Sequence, residues 1–461
     1  MKIRPIKALT KYDFTQIILP ILIEQTLLML MGVINVTMIS SQGSSVISGI
    51  GIVDSINNII VPFFSALSVG ATVVIANYRG RGEIDNCNEM AKQSFYMSMI
   101  IVVIISAILL SAGPFTLNLM FKDAEKSVLD SSNIYMIWSV LSYPAVAISA
   151  MFSGIRRGSG DTVTPMKITI LMNIINITLC AILVYGVDIP FVNVHFKSYG
   201  VLGAGIGIFV ARTVGALLSI FYLFFDEKKI GIKDPFKFKL NKVMQLSFIG
   251  VGIPVSMENI LFNLGKLFVQ VFITSYGTFS LTANSYCGTI FNALTLPGNS
   301  LNISVATLVG REIGKRNKKK AKRLMIELIV IASMAMAVLC IVITPFIEQI
   351  IILLFNPEPE VVQISVNLIR ICAVFLPLFW SIAFILPGGL RSAGDAKFTM
   401  FISITTMWVV RITFGYFLGT VLEMKLAGIW LAMCFDWVAR GIIFVIRLVK
   451  DKWQQKQVIK D

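Results

Sequence analysis

Charged residues are scarce in this sequence. Asp, Glu, Lys and Arg together make up only 14% of the 461 residues, while hydrophobic residues make up 56%. A soluble globular protein carries roughly 25% charged residues. The composition therefore excludes an ordinary soluble domain and predicts an integral membrane protein.

Histidine, patterned cysteine and nucleotide-binding loops are also lacking. The only histidine is His195, and the six cysteines are scattered, five of them inside apolar runs. No C-x-x-C or Cys/His spacing is present, so a disulfide framework, a zinc site and a His-based triad have no support. A G-x-x-x-x-G-K-[ST] loop is missing too. We therefore expect no cofactor and no catalytic residue, and an ion gradient as the energy source.

Apolar runs long enough to cross a membrane recur twelve times. A helix needs about 20 residues to span a hydrocarbon core of about 30 Å. The first run directly follows several basic residues and is predicted to be an uncleaved first span. The runs cover about residues 14–40, 50–77, 93–113, 133–153, 164–186, 200–224, 245–275, 281–309, 323–347, 361–386, 398–421 and 427–449.

The net charge of +15 is distributed unevenly across the membrane. If successive loops alternate, the side with both termini holds 31 Lys and Arg residues and the opposite loops hold four. Cytoplasmic loops carry the excess of Lys and Arg. We therefore predict a multi-pass protein of the plasma (inner) membrane with both termini cytoplasmic. The basic clusters 228–242 and 311–323 are interpreted as topology determinants beside anionic lipid, not as nucleic-acid sites.

The two halves of the chain repeat each other at an offset of 234 positions. The matched positions are Pro20 with Pro254, Glu24 with Glu258, Asn58 with Asn292, Gly80 with Gly314, and the turn 157–161 with the turn 391–395. Duplicated bundles around a central site are typical of secondary transporters. The predicted fold class is thus an all-α integral membrane protein, with twelve transmembrane helices in two pseudo-symmetric six-helix lobes around a central cavity. The lobes are residues 1–226 and residues 227–461.

Carboxylates inside predicted spans are the first candidates for function. A charge at the middle of the bilayer costs roughly 2.5–3.5 kcal/mol on insertion scales, so it is retained where it pairs, binds a cation or faces water. Because Glu24 and Glu258 recur in both halves, we predict that they couple transport to a cation. A buried ion pair, with Lys266 as the partner of Glu258, is the alternative. Asp54 lies nearer an outer end, where it could also be a solvated cap.

Polar residues in the spans form a second group of candidates. Amides could bind substrate or a cation, or hold helices together; they are Asn58, Asn173, Asn176 and Asn292. Asp436 and Arg440 have the i, i+4 spacing of an intrahelical pair. Glycine permits tight turns and aspartate caps helices, so we interpret one further set as structural hinges and salt bridges. It comprises Arg157, Gly160, Asp161, Arg391, Gly394 and Asp395.

Taken together, these motifs resemble a multidrug and toxic compound extrusion (MATE) transporter over almost the whole chain. The resemblance lies in Pro20, Gly80-x-Gly82, Arg157-x-x-Gly160-Asp161-Thr162 with Pro165-Met166, Gly310-Arg311-x-x-Gly314, Leu390-Arg391-Ser392-Ala393-Gly394-Asp395 and Asp436-Trp437-x-x-Arg440. It implies two six-helix lobes around a V-shaped cavity. It also implies export of organic, often cationic, compounds in exchange for Na⁺ or H⁺.

One position departs from the family pattern. Many members carry a cation-coupling aspartate fifteen positions after the first proline, and here that residue is Asn35, which cannot ionise. Coupling through this position is therefore in doubt. Glu258 is the only candidate for the acidic residue that the sodium-coupled branch uses on its seventh helix.

Other functions fit the sequence less well. A lipid-linked oligosaccharide flippase of the same superfamily would need a basic cavity, whereas the duplicated intramembrane charges here are glutamates, which favours cationic cargo. A major facilitator would need an acidic-then-basic pair that is not in place after Gly310, and a membrane enzyme would need a convergent catalytic cluster. We predict small-molecule substrates, contact with membrane lipids, no nucleic acid and a monomer.

Overall fold

The computed structural model describes residues 8–40, 44–120, 126–189, 194–196, 198–226, 229–235 and 239–459. Almost all of them are helical. The helices of the first half are α1 Lys11–Asp13, α2 Leu19–Ser40, α3 Ser44–Arg81, α4 Ile84–Met120, α5 Lys126–Leu141, α6 Tyr143–Gly158, α7 Val163–Tyr185 and α8 Gly200–Phe225. A π-helical turn, Phe14–Ile18, joins α1 to α2, and a short antiparallel hairpin, β1 Val187–Ile189 with β2 Val194–Phe196, lies between α7 and α8.

The second half is helical as well. Its helices are α9 Lys242–Ser275, α10 Thr278–Gly314, α11 Lys318–Ile343, α12 Ile347–Phe355, α13 Pro359–Phe375, α14 Ser381–Ser392, α15 Ala396–Thr405, α16 Thr413–Tyr416 and α17 Lys425–Val449. Short 3₁₀ turns occur at Thr344–Phe346 and Lys452–Gln455. Three π-helical stretches, Leu376–Trp380, Thr406–Ile412 and Phe417–Val421, interrupt the α-helical runs. π-Helical stretches are rare in proteins, and those that occur are often found at functional sites.

Each of the twelve predicted spans coincides with a helix. Ten helical runs of the described residues are long and apolar enough to cross a membrane, and there are eleven if the bent pair α5 and α6 forms one span. That pair bends by 42° next to Pro144, which lacks the amide hydrogen of a continuous helix. The remaining predicted span lies in α10, which is long enough but rich in Ser, Thr and Asn. The all-helical membrane fold is confirmed.

The chain divides into two compact units. Unit 1 contains Met1–Leu22, Ala76–Gly82 and Ile249–Asp461, and unit 2 contains Ile23–Ile75 and Glu83–Phe248. These units are defined by packing. The predicted lobes, residues 1–226 and 227–461, are defined by the sequence repeat and stay a prediction.

Small residues allow two helices of unit 2 to pack closely. They form a ladder along one face of α8, at Gly203, Gly207, Ala211, Gly215 and Ser219. A Cβ atom on Gly203 would collide with the backbone of Leu183, in α7, and Gly207 faces Cys180 of the same helix. Membrane helices associate through such close backbone approach. The ladder thus packs within its own unit.

Buried carboxylates fix the start of the first helix in unit 1. The Glu327 carboxylate accepts hydrogen bonds from the backbone amides of Ala8 and Leu9, at 3.0 and 2.9 Å. Thr10 and Asp13 form a capping box, and Asp13 also accepts from Arg311 Nη2 at 2.9 Å. Orphan amides at a helix N-terminus require such acceptors. The segment before α2 is therefore held by α10 and α11.

Candidate functional site

A buried glutamate joins three helices of unit 2. Glu24 lies on α2 with only 3% of its surface exposed. Its Oε2 atom accepts a hydrogen bond from Arg157 Nη2 at 2.7 Å, and its Oε1 atom accepts from Thr169 Oγ1 at 3.2 Å. Arg157 lies in the last turn of α6, and Thr169 lies on α7. One carboxylate therefore links α2 to the two helices that flank the turn 158–162.

Unit 1 contains the matching ion pair. Glu258 lies on α9, and both of its carboxylate oxygens are 2.7 Å from Arg391 Nη2. Arg391 also donates from Nε to Thr399 Oγ1 at 3.2 Å. These contacts link α9 to α14 and α15. Glu258 and Arg391 correspond, at the offset of 234, to Glu24 and Arg157.

The partner of Glu258 is the residue that sequence reasoning missed. Lys266 was the expected partner if Glu258 formed an ion pair, but the structure pairs Glu258 with Arg391. The sequence interpretation assigned Arg157 and Arg391 to structural hinges and salt bridges at the turns, without naming either glutamate as their partner. The repeat carried the missing signal, because both halves place an acidic and a basic residue at matched positions, 133 residues apart in each half.

The turns beside these pairs have the geometry that their glycines predict. Gly160 and Gly394 adopt positive φ angles of 87° and 95°, which glycine tolerates without a Cβ clash. Asp395 binds Arg447, with 2.8 Å from Arg447 Nε to the carboxylate, but its side chain does not cap α15. Asp161 precedes the N-cap residue of α7, Thr162, and its carboxylate accepts from the Thr164 amide in the first turn at 3.2 Å. An aspartate of each turn is therefore held by a basic residue, Asp161 by Lys229 and Asp395 by Arg447.

Asp161 is the best-braced carboxylate of the turns. Its Oδ2 atom accepts from Lys229 Nζ at 2.8 Å, and Arg156 Nη1 lies 3.8 Å away. Burial raises the pKa of the Asp161 carboxyl, but the hydrogen bonds from Lys229 and Thr164 outweigh burial. The net result is a pKa below the ordinary value of 3.8. Asp161 is therefore held in its charged form.

The remaining candidate residues are not part of either Glu–Arg pair. Asp54 Oδ1 accepts from Asn57 at 3.1 Å, and Asn57 Oδ1 accepts from the Tyr143 hydroxyl at 2.9 Å. Asn58 and Asn292 are both exposed on their units, and within the described part of the chain their side chains make no hydrogen bond to either ion pair. The side chain of Asn35 lies outside the described residues.

Two buried side-chain amides in unit 2 have polar atoms without a partner among the described residues. Asn173 and Asn176 lie on α7, with 6% and 0% of their surfaces exposed. Among the described residues, neither amide atom of Asn176 has a hydrogen-bond partner, and the same holds for Asn173 Nδ2. An unsatisfied buried amide costs free energy. These residues therefore stay candidates for polar contacts with a ligand or an ion. Over the described ranges, no group of three or more His, Cys, Asp or Glu side chains could hold a metal ion.

Comparison with known proteins identifies relatives along the whole chain. The family model described as MatE matches residues 20–182 and 254–417, two segments that begin 234 positions apart. The chain is 28% identical to the "Uncharacterized transporter YisQ" of Bacillus subtilis over 440 residues, covering 95% of this chain and 94% of the relative. It is 25% identical to the "Probable multidrug resistance protein NorM" of Thermotoga maritima over 450 residues, covering 97% and 94%.

Solved structures share the fold. One is described as the "Outward-facing conformation of a multidrug resistance MATE family transporter of the MOP superfamily" and superposes with a TM-score of 0.87 at 18% identity, covering 95% of this chain and 96% of that one. Another, a "MATE in the bent conformation", gives a TM-score of 0.85 at 19% identity, with the same coverage. At this identity the likeness concerns the fold alone.

Proposed function

The chain belongs to the MatE family of multidrug and toxic compound extrusion transporters, and from this premise we propose that it exports organic compounds in exchange for Na⁺ or H⁺. Members of this family are transporters, not enzymes, and this chain is a multi-pass membrane protein. We place it in the plasma (inner) membrane, as a monomer with cytoplasmic termini, working without cofactor or nucleic acid. The flippase alternative is less favoured, because curated relatives are described as multidrug resistance proteins.

The observation that supports coupling is the ion pair of Glu258 with Arg391. Both carboxylate oxygens contact one guanidinium nitrogen, and both side chains are largely buried. A proton or Na⁺ that binds this carboxylate must compete with Arg391 for the same oxygens. Loss of the pair would free the turn 391–395 and the ends of α14 and α15 from α9. The geometry thus supports an ion-sensitive connection between helices of unit 1.

The equivalent pair in unit 2 uses its two carboxylate oxygens differently. Glu24 divides its oxygens between Arg157 and Thr169, so a proton on one oxygen leaves the other contact in place. Glu258 offers both oxygens to Arg391 alone. In addition, Asn35 removes the usual ionisable residue from the first half. We therefore assign the main coupling role to Glu258 and a supporting role to Glu24.

The charge of the cargo is a separate question. The expectation of cationic cargo rested on the two duplicated glutamates, and each of them is paired with an arginine at 2.7 Å. In this state neither carboxylate offers net negative charge to a cargo. Cationic cargo stays a prediction, and it requires a state in which at least one pair is open.

The test is gradient-driven transport by the purified full chain in liposomes. We expect ethidium to move against its gradient when an inward Na⁺ or H⁺ gradient is imposed. An ionophore that collapses only the effective ion gradient should abolish this movement. Transport that persists after both gradients are collapsed would contradict ion-coupled antiport. So would failure of both the Na⁺ and the H⁺ gradient to drive transport of any dye in a panel of cationic, neutral and anionic dyes.

A further inference from the structure

Three cations of unit 1 surround a single aromatic ring inside the membrane spans. Lys266 Nζ lies 5.1 Å from the centroid of the Phe262 ring, and the guanidinium carbons of Arg411 and Arg440 lie 5.8 and 5.3 Å from it. The three residues come from three different spans, Lys242–Ser275, Ala396–Val421 and Lys425–Val449. We call this group the Phe262 cluster.

Only one carboxylate balances the Phe262 cluster. Asp436 accepts from Arg440 Nη2 at 3.2 Å through both oxygens, which confirms the i, i+4 pair predicted from the sequence. No described carboxylate lies within 4 Å of Lys266 or Arg411. The cluster therefore carries an excess of two positive charges. The faces of aromatic rings attract cations, but they do not neutralise them.

Two hydrogen-bond donors on the π-helical stretch that carries Arg411 lack acceptors among the described residues. Arg411 Nε and Trp408 Nε1 are buried atoms, and neither has a hydrogen-bond partner among the described residues. They lie on the same π-helical stretch, Thr406–Ile412. Buried donors in proteins are almost always satisfied. Together with the positive charge of Lys266 and Arg411, these donors match the acceptor atoms of an oxyanion.

The cluster lies deep within its spans, and its lysine is exposed. Lys266 lies nine residues before the end of its span, and Arg411 lies ten residues before the end of its span. At 1.5 Å per residue, both lie about 14–15 Å from those ends, near the middle of a 30 Å hydrocarbon core. The Lys266 side chain is nevertheless exposed. Because an intramembrane lysine faces water or a partner and not lipid, this exposure indicates aqueous access.

The cluster is not part of the duplicated scaffold. The positions 234 residues before Lys266, Arg411 and Arg440 are Gly32, Ile177 and Ile206. Unlike the two Glu–Arg pairs, these charges therefore occur in one half only. A structural role common to both halves does not explain them.

We propose that the Phe262 cluster is an anion-binding subsite that holds the carboxylate, sulfonate or phosphate group of an amphiphilic organic anion. Lys266 and Arg411 would supply the charge, Trp408 Nε1 a further donor, and the Phe262 ring an apolar surface for the body of the ligand. Arg440, already paired with Asp436, positions the ring. This inference rests on the proposed transport function, because it names a class of cargo, but binding can be measured without transport.

The test uses two probes of matched shape and opposite charge. Radiolabelled naphthalene-2-sulfonate and N,N,N-trimethyl-2-naphthylammonium are dialysed against the full chain in phosphatidylcholine nanodiscs. We expect saturable binding of the sulfonate. Loss of one charge-assisted hydrogen bond in Lys266→Gln or Arg411→Gln should weaken it about tenfold or more. Lys266→Arg should retain it.

Control variants and lipids make the outcome decisive. Arg370 is an exposed intramembrane arginine on α13 that does not lie over the Phe262 ring, so Arg370→Gln should leave sulfonate affinity unchanged. Displacement of the sulfonate by added phosphatidylglycerol would identify a lipid phosphate as the natural oxyanion. Sulfonate binding that persists in the presence of phosphatidylglycerol would identify a soluble anion. Equal sulfonate affinity in wild type, Lys266→Gln and Arg411→Gln, or no sulfonate binding at all, would overturn the proposal. Absence of liposome transport with intact sulfonate binding would instead contradict the transport function.

Discussion

Gly80 and Gly314 lie backbone against backbone where α3 and α10 end in unit 1. A Cβ atom added to Gly80 would lie 2.9 Å from Gly314 Cα and would collide with the Arg311 carbonyl, and one added to Gly314 would collide with the Asn77 carbonyl. The two glycines are also matched positions of the repeat. Only residues without a Cβ atom allow this approach. The sequence repeat thus brings its own matched positions into direct contact.

Substituting either glycine should therefore separate the helix ends. We expect Gly80→Ala and Gly314→Ala each to destabilise the protein by about 1–3 kcal/mol, the usual cost of overpacking. The readout is the thermal midpoint in detergent, followed by fluorescence-detected gel filtration. Gly250, in α9, is the control, because an added Cβ atom there meets nothing within 4 Å. Midpoints of Gly80→Ala and Gly314→Ala equal to that of Gly250→Ala would show that the contact is dispensable.

The Glu258–Arg391 pair should show strong energetic coupling. Removing one partner of a buried pair leaves an uncompensated charge and costs about 3–5 kcal/mol, so Arg391→Met should be strongly destabilised. Glu258→Gln should lose less stability, because the oxygen of the introduced amide still accepts a hydrogen bond from Arg391. The double variant should be more stable than the sum of the two single losses predicts. A double-mutant cycle on thermal midpoints measures this, with Glu24→Gln and Arg157→Met as the matched cycle. Strictly additive losses in both cycles would contradict the ion pairs.

The sequence predicted more about the fold than about the site. Hydropathy located the long helical spans, because apolar length is a local property, and the offset of 234 located matched glutamates and turns. The partner of Glu258 could not be read from one helix, because Arg391 approaches it from a different helix, 133 residues away. The Phe262 cluster could not be predicted from the sequence either, because its three cations come from three spans and only the packing of those spans brings them to one ring.

The predicted topology can be checked with two introduced cysteines. The excess of basic residues predicts that the loop containing Lys233 lies in the cytoplasm and that Ser44, at the start of α3, lies outside. All six native cysteines are buried, so background labelling by a membrane-impermeant maleimide should be low. In intact cells Ser44→Cys should react, and Lys233→Cys should react only after permeabilisation. Labelling of Lys233→Cys from outside would reverse the assigned orientation.

Asp161 should make stability depend on pH in the acidic range. Its folded pKa lies below 3.8, so its contacts with Lys229 and Thr164 stabilise the protein above the unfolded pKa, and the stabilisation is lost as the pH falls through the folded pKa. Asp161→Asn should therefore lower the thermal midpoint at pH 7. The difference from wild type should shrink below about pH 4. Asp451 forms an exposed ion pair with Lys322. It is the control position, because exposed ion pairs contribute little to protein stability. A pH-independent difference would show that Asp161 acts by packing or neutral hydrogen bonding.

Glu258 should carry more of the ion coupling than Glu24. Glu258→Gln keeps the volume of the side chain and an acceptor for Arg391, while it removes the negative charge that a proton or Na⁺ would bind. Transport driven by an imposed Na⁺ or H⁺ gradient in liposomes should then collapse, with protein abundance in the membrane close to that of wild type. Glu24→Gln should retain part of the transport, because Arg157 and Thr169 divide the two oxygens between them. Loss in Glu24→Gln with normal transport in Glu258→Gln would reverse the two roles, and normal transport in the double variant would remove both carboxylates from the coupling mechanism.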